Sequence, residues 1–138
     1  VPIGVLVKMC FSGKYTLNDI KKKIKGEGGL VSYLNTNDAR IVEDKVKEGN
    51  KEYEFIYQAM AYQISKEIGA LSTVLFGKVD AIILTGGLAY DKLFCQWIKE
   101  RVNHLGSVYV YPGEGEMESL TEGAYYAMKG ELEIQEYK

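Results

Sequence analysis

The chain is poor in several residues that often reveal what a protein does. Among 138 residues there are two cysteines, Cys10 and Cys95, and a single histidine, His104. The cysteines show no metal-ligand spacing and are too few for a disulfide framework, so both are expected to be buried thiols in a reducing cytosol. His104 stands near an expected helix C-terminus, where it reads as a helix-end charge or a surface residue. An excess of basic charge is also missing. Seventeen Lys and Arg stand against nineteen Asp and Glu, a net charge of −2, which leaves no basic field to collect the phosphates of a nucleic acid. The run Lys21-Lys22-Lys23-Ile24-Lys25 reads as a solvated helix face in this acidic setting. No apolar run approaches the ~20 residues of a membrane span, and no signal peptide opens the chain. The expected setting is therefore cytoplasmic, with no nucleic-acid or membrane partner. The chain opens on Val1 instead of Met, which allows a processed or truncated product.

What is present is an ordinary globular composition, 46% hydrophobic and 26% charged, enough for one domain with a real core. Its most informative stretch is Val79-Asp-Ala-Ile-Ile-Leu-Thr-Gly-Gly-Leu-Ala-Tyr-Asp91. Val, Ile and Leu with little polar alternation suit a buried parallel strand. Gly86 and Gly87 let the backbone turn tightly and let a ligand approach without meeting a Cβ. Asp91 can then open a helix whose unpaired N–H groups and positive dipole end point at whatever sits there. That is the layout of a nucleotide site. It is neither a GxGxxG fingerprint nor a P-loop, and the same glycine pair also suits a plain strand-to-helix turn.

Helices come first along the chain and strands late. Pro2 belongs to the first turn of a short apolar helix running to Phe11. Thr16-Leu-Asn-Asp19 resembles a capping box that starts a helix from Leu17 to Lys25, and Gly26 to Gly29 stop it. Leu30 to Leu34 lead to Asn35-Thr-Asn-Asp38, a cap for a polar helix ending near Gly49. Residues from about 16 to 50 thus read as a small helical subdomain. A long helix follows from about Lys51 to Phe76, with Tyr53, Ile56, Met60, Ile64, Ile68, Leu71 and Leu75 on one face. Ala59, Ala61 and Ala70 are small positions where another element can approach. Tyr53, Tyr57 and Tyr62 on this helix read as packing or interface residues. After the Val79 strand, a helix from Asp91 to Leu105 turns Leu93, Phe94, Trp97, Ile98 and Val102 inward, and Gly106 closes it as a C-cap. Ser107 to Tyr111 form a second strand, Pro112 to Gly115 a loop, and Glu116 to about Gly130 a last helix.

Strand, helix, strand, helix makes a right-handed crossover and a parallel strand pair. Ligands of such sheets bind at the carboxyl ends of the strands, so the loops Thr85–Asp91 and Pro112–Glu118 should face one cleft. Two strands alone leave both edges uncovered, so further strands are expected from upstream residues or from another chain.

Three stretches carry a family resemblance: Val1 to Tyr15, Ile83 to Lys92, and Tyr111-Pro-Gly-Glu-Gly-Glu-Met-Glu-Ser-Leu-Thr-Glu-Gly-Ala124. Together and in order they closely resemble the C-terminal part of butyrate kinases, which belong with acetate kinases in the actin-like ATPase superfamily. The resemblance implies an α/β fold, a partial ribonuclease-H-like domain with two parallel strands, packed helices and the helical subdomain. The whole of 1–138 would be the latter part of a C-terminal nucleotide-binding domain. The implied reaction exchanges phosphate between ATP and a short-chain carboxylate, butyrate giving butyryl phosphate and ADP, with Mg²⁺. By the same resemblance Thr85, Gly86, Gly87, Leu88, Ala89 and Asp91 would contact the nucleotide. Glu116 would stand near the metal, with Glu114 and Glu118 as neighbouring candidates, although an acid at a helix N-terminus is favoured by the dipole in any case.

The family's phosphate-cradling glycine hairpin, catalytic Arg and His residues and acid pocket have no counterpart in this chain. A carboxylate nucleophile is already ionised at neutral pH, so the reaction needs cations and alignment more than a base. Lys92 is the one cation adjacent to either loop, while Arg40 and Arg101 lie in no family motif. The expected role is therefore nucleotide and metal positioning, with the chemistry supplied by an upstream half of the same protein or another copy, as in a homo-oligomer. The 138-residue piece alone is expected to be inactive. A second reading is a regulatory member of the superfamily that binds a nucleotide and transfers nothing.

Overall fold

The computed structural model describes residues 3–133, and the expectation for Pro2 lies outside them. Helices α1 (Ile3–Cys10), α2 (Leu17–Ile24), α3 (Leu30–Leu34), α4 (Ala39–Lys47) and α5 (Lys51–Ser72) precede strand β1 (Ala81–Gly86). A 3-10 turn over Gly87–Tyr90, helix α6 (Lys92–Val102), strand β2 (Ser107–Pro112) and helix α7 (Glu116–Met128) complete the order. The fold is α/β, and β1 pairs with β2 in parallel, from Ala81 opposite Ser107 to Gly86 opposite Pro112.

Local chemistry sets the helix starts. Thr16 and Asp19 form the expected capping box at α2, each side chain binding the other's backbone N–H. The Asp38 side chain accepts from Arg40 N at α4, and Asn50 accepts from the N–H groups of Glu52 and Tyr53 at α5.

The core gathers Leu34, Val42, Tyr57, Ala61, Ile82, Phe94, Ile98 and Val102, so α3, α4, α5, α6 and β1 all contribute to one cluster. Helix α5 packs most extensively on α6. Ala61, fully buried, is the small position that permits this approach, whereas Ala59 and Ala70 are exposed. The buried line of α5 is Tyr57, Ala61, Ser65 and Ser72. The buried hydroxyls are satisfied locally, Ser65 Oγ donating to Ala61 O at 2.8 Å and Ser72 Oγ to Gly69 O at 2.7 Å. Leu71 and Leu75, expected on the inner face, are exposed: the buried line of α5 passes through Ser65 and Ser72 instead, and the helix gives way to a 3-10 turn at Thr73. Leu93 is likewise exposed, while Phe94, Ile98 and Val102 face inward.

Only one face of the strand pair is covered. Ile82, Leu84 and Val108 turn to the core, while Ile83, Tyr109 and Tyr111 remain exposed on the other face. The apolar run of β1 therefore does not mean burial on both sides within the described residues. Gly106 also has a role different from the expected cap. Helix α6 ends at Val102, and Gly106 sits against the chain entering β1, where an added Cβ would come 2.8 Å from Val79 O. Cys10 is exposed and Cys95 buried, which corrects the expectation for the first; both are free.

Candidate functional site

The carboxyl ends of β1 and β2 are stitched together. Gly86 N–H donates to Gly113 O at 3.0 Å, and Gly113 N–H returns the bond to Gly86 O at 3.1 Å. Thr85 Oγ1 adds a third bond to Gly113 O at 3.1 Å. The two glycines of the turn do separate jobs. A Cβ at either would meet no atom within 4 Å, but Gly86 has φ +84°, a conformation that disfavours a side chain, and Gly87 does not. Gly87 keeps space open.

Beyond it, the 3-10 turn Gly87–Tyr90 buries Ala89 and closes with Asp91 N–H donating to Leu88 O at 3.2 Å. Asp91 is 4% exposed, and its Oδ1 caps α6 by accepting from Phe94 N at 3.0 Å. The Cys95 thiol lies beneath the turn, directed at Ala89 O at 3.7 Å, and burial raises its pKa. The loop is thus fixed from below by α6.

A cavity of about 430 Å³ opens beside this turn. It is lined by Gly87, Leu88, Tyr90 and Asp91, by the cap residue Asp38 with Ala39, Arg40 and Glu43 of α4, and by Tyr57 of α5. Arg40, which the sequence places in no motif, lines the same cavity as the glycine turn and is the site candidate that the sequence did not offer. It is paired with Asp38, Nη2 to Oδ2 at 2.8 Å and Nε to Oδ1 at 3.1 Å, in bidentate fashion. The guanidinium hydrogen bonds hold the Asp38 carboxyl down at about 2. Arg40 itself is largely exposed, so its fork can exchange the carboxylate for another anion. The signal was present as an Asp cap followed two residues later by Arg, but nothing local links it to Gly87.

Lys92, the cation adjacent in sequence, does not line this cavity. It borders a separate hollow with Ala89, Tyr90, Cys95, Gln96, Lys99, Val110 and Pro112. His104 is exposed after α6.

The acidic turn is open in character. Gly115, at φ +56°, caps α7 without a side-chain bond, and Glu114, Glu116 and Glu118 are all exposed. None of the three lines the cavity, and no cluster of three metal-ligating side chains occurs among the described residues. The two loops are therefore joined through backbone, while only the glycine turn borders the cavity.

A parallel strand pair with a crossover helix, a glycine turn at its carboxyl end and a cavity beside it define a part of an α/β domain. The fold is similar to the crystal structure of Porphyromonas gingivalis acetate kinase, with a TM-score of 0.75 at 19% identity over 92% of this chain. The chain spans 38% of that protein's length. The model of the Acetokinase family matches residues 3–112, and the chain belongs to that family.

Proposed function

We propose that this chain is the nucleotide-side part of an ATP-dependent kinase acting on a short-chain carboxylate, with butyrate as the acid. The observation that carries the reading is the cavity shared by the Gly87–Asp91 turn and Arg40. Family membership and the butyrate-kinase-like stretches Ile83 to Lys92 and Tyr111 to Ala124 support it.

In the reaction a carboxylate oxygen of the acid attacks the γ-phosphorus of ATP, the bond to the bridging oxygen breaks, and ADP leaves. Thr85, Gly86, Gly87, Leu88, Ala89 and Asp91 would shape the nucleotide wall. The open Cβ position of Gly87 admits a flat group close to the backbone. Arg40 would exchange Asp38 for a phosphate oxygen, a bidentate partner of the same geometry.

Magnesium entering with the phosphates keeps several waters and needs only one or two carboxylates. Glu116, exposed at the start of α7 and outside the cavity, would offer one such carboxylate from across the joined strand ends, with Glu114 and Glu118 beside it. Bound there, the ion would offset charge on the phosphates.

The remaining catalytic cations and the acid pocket belong to the proposed remainder of the protein, upstream or in another copy of a homo-oligomer. The exposed sheet face of Ile83, Tyr109 and Tyr111 supports such a covering. A cytoplasmic setting goes with this reading and is supported by the two free cysteines. No helix among the described residues is long and apolar enough to cross a membrane.

The test is acyl phosphate formation by the intact protein with Mg-ATP, trapped with hydroxylamine, across acetate, propionate, butyrate and isobutyrate. Turnover peaking with butyrate is expected. Turnover with acetate above butyrate would overturn the choice of acid. The lone arginine at the cavity favours one other reading, a member that holds nucleotide without transfer; ADP binding with no turnover on any acid would establish it.

A further inference from the structure

The second hollow beside the glycine turn, about 420 Å³ in volume, differs from the cavity in the sign of its charge. In the cavity the one cation, Arg40, shares the lining with three carboxylates, Asp38, Glu43 and Asp91. The hollow is lined by two cations, Lys92 and Lys99, and by no acidic side chain. Neither ammonium is neutralised by a neighbour. Among the described residues Lys92 and Lys99 form no ion pair, whereas Lys45, Lys47 and Lys51 each pair with a glutamate three or four positions away.

Helix periodicity puts the two lysines on one face. Lys92, Gln96 and Lys99 are four and then three positions apart, so they follow one another along α6. Seven residues separate the two Cα atoms by about 10 Å along the axis, at 1.5 Å per residue. Flexible four-carbon stems let both ammoniums reach the space between them. The Glu100 carboxylate on the same helix accepts from Gln96 Nε2 at 2.9 Å and does not line the hollow. The remaining lining is largely apolar, from Ala89, Cys95, Val110 and Pro112, while Tyr90 lines both this hollow and the cavity. Two uncompensated like charges at one concavity favour an anion that meets both, and apolar walls favour one with a short hydrocarbon body. A phosphate dianion matches two ammoniums in charge, and lysine binds phosphate as a point charge without a fixed fork geometry.

We propose that the hollow between α6 and the end of β2 binds a small phosphate-bearing molecule, its dianionic group held between Lys92 and Lys99. The site is separate from the cavity and does not rest on the nucleotide reading. Free phosphate and an alkyl phosphate share the chemistry of the charged group, and the apolar lining favours the alkyl phosphate.

The test is calorimetric titration of the intact protein with inorganic phosphate and with butyl phosphate, in the presence and absence of excess ADP. It is run at about pH 8, where a phosphate monoester is a dianion. Lys92→Gln and Lys99→Gln should each weaken butyl phosphate about three- to fivefold, and the double variant about tenfold or more, with Tm and ADP affinity unchanged. Lys21→Gln/Lys22→Gln, which removes the same charge from α2, should bind as the unsubstituted protein does. Tighter binding of butyl phosphate than of phosphate supports the site with an organic phosphate as its ligand, and equal binding supports it with free phosphate. Four results would each overturn the proposal: no binding of either probe, full affinity in the Lys92/Lys99 double variant, an equal loss in the Lys21/Lys22 variant, or displacement of the probe by ADP.

Discussion

The glycine turn and the acidic turn leave adjacent parallel strands and share backbone hydrogen bonds, yet they are built in opposite ways. The first rests on the core: Ala89 and Asp91 are buried, the Cys95 thiol lies beneath, and Phe94 joins it to α6 and α5. The second is solvent-facing. Glu114, Glu116 and Glu118 are exposed, Gly115 offers no side-chain cap, and α7 buries none of its residues. Preorganised geometry costs nothing at the moment a ligand arrives, and only the glycine turn has it. Met117, Leu120 and Met128 leave α7 with exposed apolar surface, the mark of a face suited to a partner and in line with the proposed remainder of the protein.

The largest effect should come from removing the support of the first turn. Phe94→Ala is expected to cost about 3–5 kcal/mol in urea unfolding of this chain, because it empties the stack under Tyr57 and Asp91. Leu120→Ala on α7 should stay within about 0.5 kcal/mol. Similar losses at both positions would erase the contrast between the turns.

Next in size is Gly87→Val. A branched side chain fits the open Cβ position, so the fold should survive, while ADP affinity drops about tenfold or more, equivalent to ~1.4 kcal/mol. Unchanged ADP affinity would remove the turn from the site. Glu116→Gln should act on the other turn in the complementary way, lowering turnover of the intact protein a few-fold while ADP affinity holds. Normal turnover across a magnesium titration would shift the role to Glu114 or Glu118, or abolish it.

The smallest effect concerns the far wall of the cavity. Arg40 holds the folded-state pKa of Asp38 at about 2, below the ~3.9 of an unfolded aspartate. The stability it contributes is therefore present above pH ~4 and lost as pH falls toward 2. Asp38→Asn should lower Tm slightly at pH 6, with the difference closing by pH 2, and the pair's exposure keeps the effect small. A Tm difference that does not vary with pH would remove the charge of Asp38 as its source.

Much of this was legible because the governing contacts are local. The Thr16–Asp19 capping box, the Asp91 cap and the strand before Gly86 each depend on residues within a few positions, and each formed. The parallel pairing followed from element order through the handedness of the crossover. The parts that escaped depend on which neighbour a helix meets. Spacing identified a stripe on α5 but not where it stops, so Leu71 and Leu75 were placed inside while Ser65 and Ser72 hold buried positions. Arg40 could not be assigned for the same reason: only the packing of α4 on α5, with Val42 in the core, carries it to Gly87. Lys92, adjacent in sequence, borders the other hollow because the turn and α6 direct it there.

The reciprocal bonds between Gly86 and Gly113 also make a clock. Each residue's N–H is bound by the other's carbonyl, so neither amide can reach solvent unless the ends of both strands part. Deuterium should therefore enter the two positions through one shared opening event, at matched free energies. A ligand that tightens either turn would slow both amides together, and the moment their rates diverge would report that the strand ends have begun to move apart.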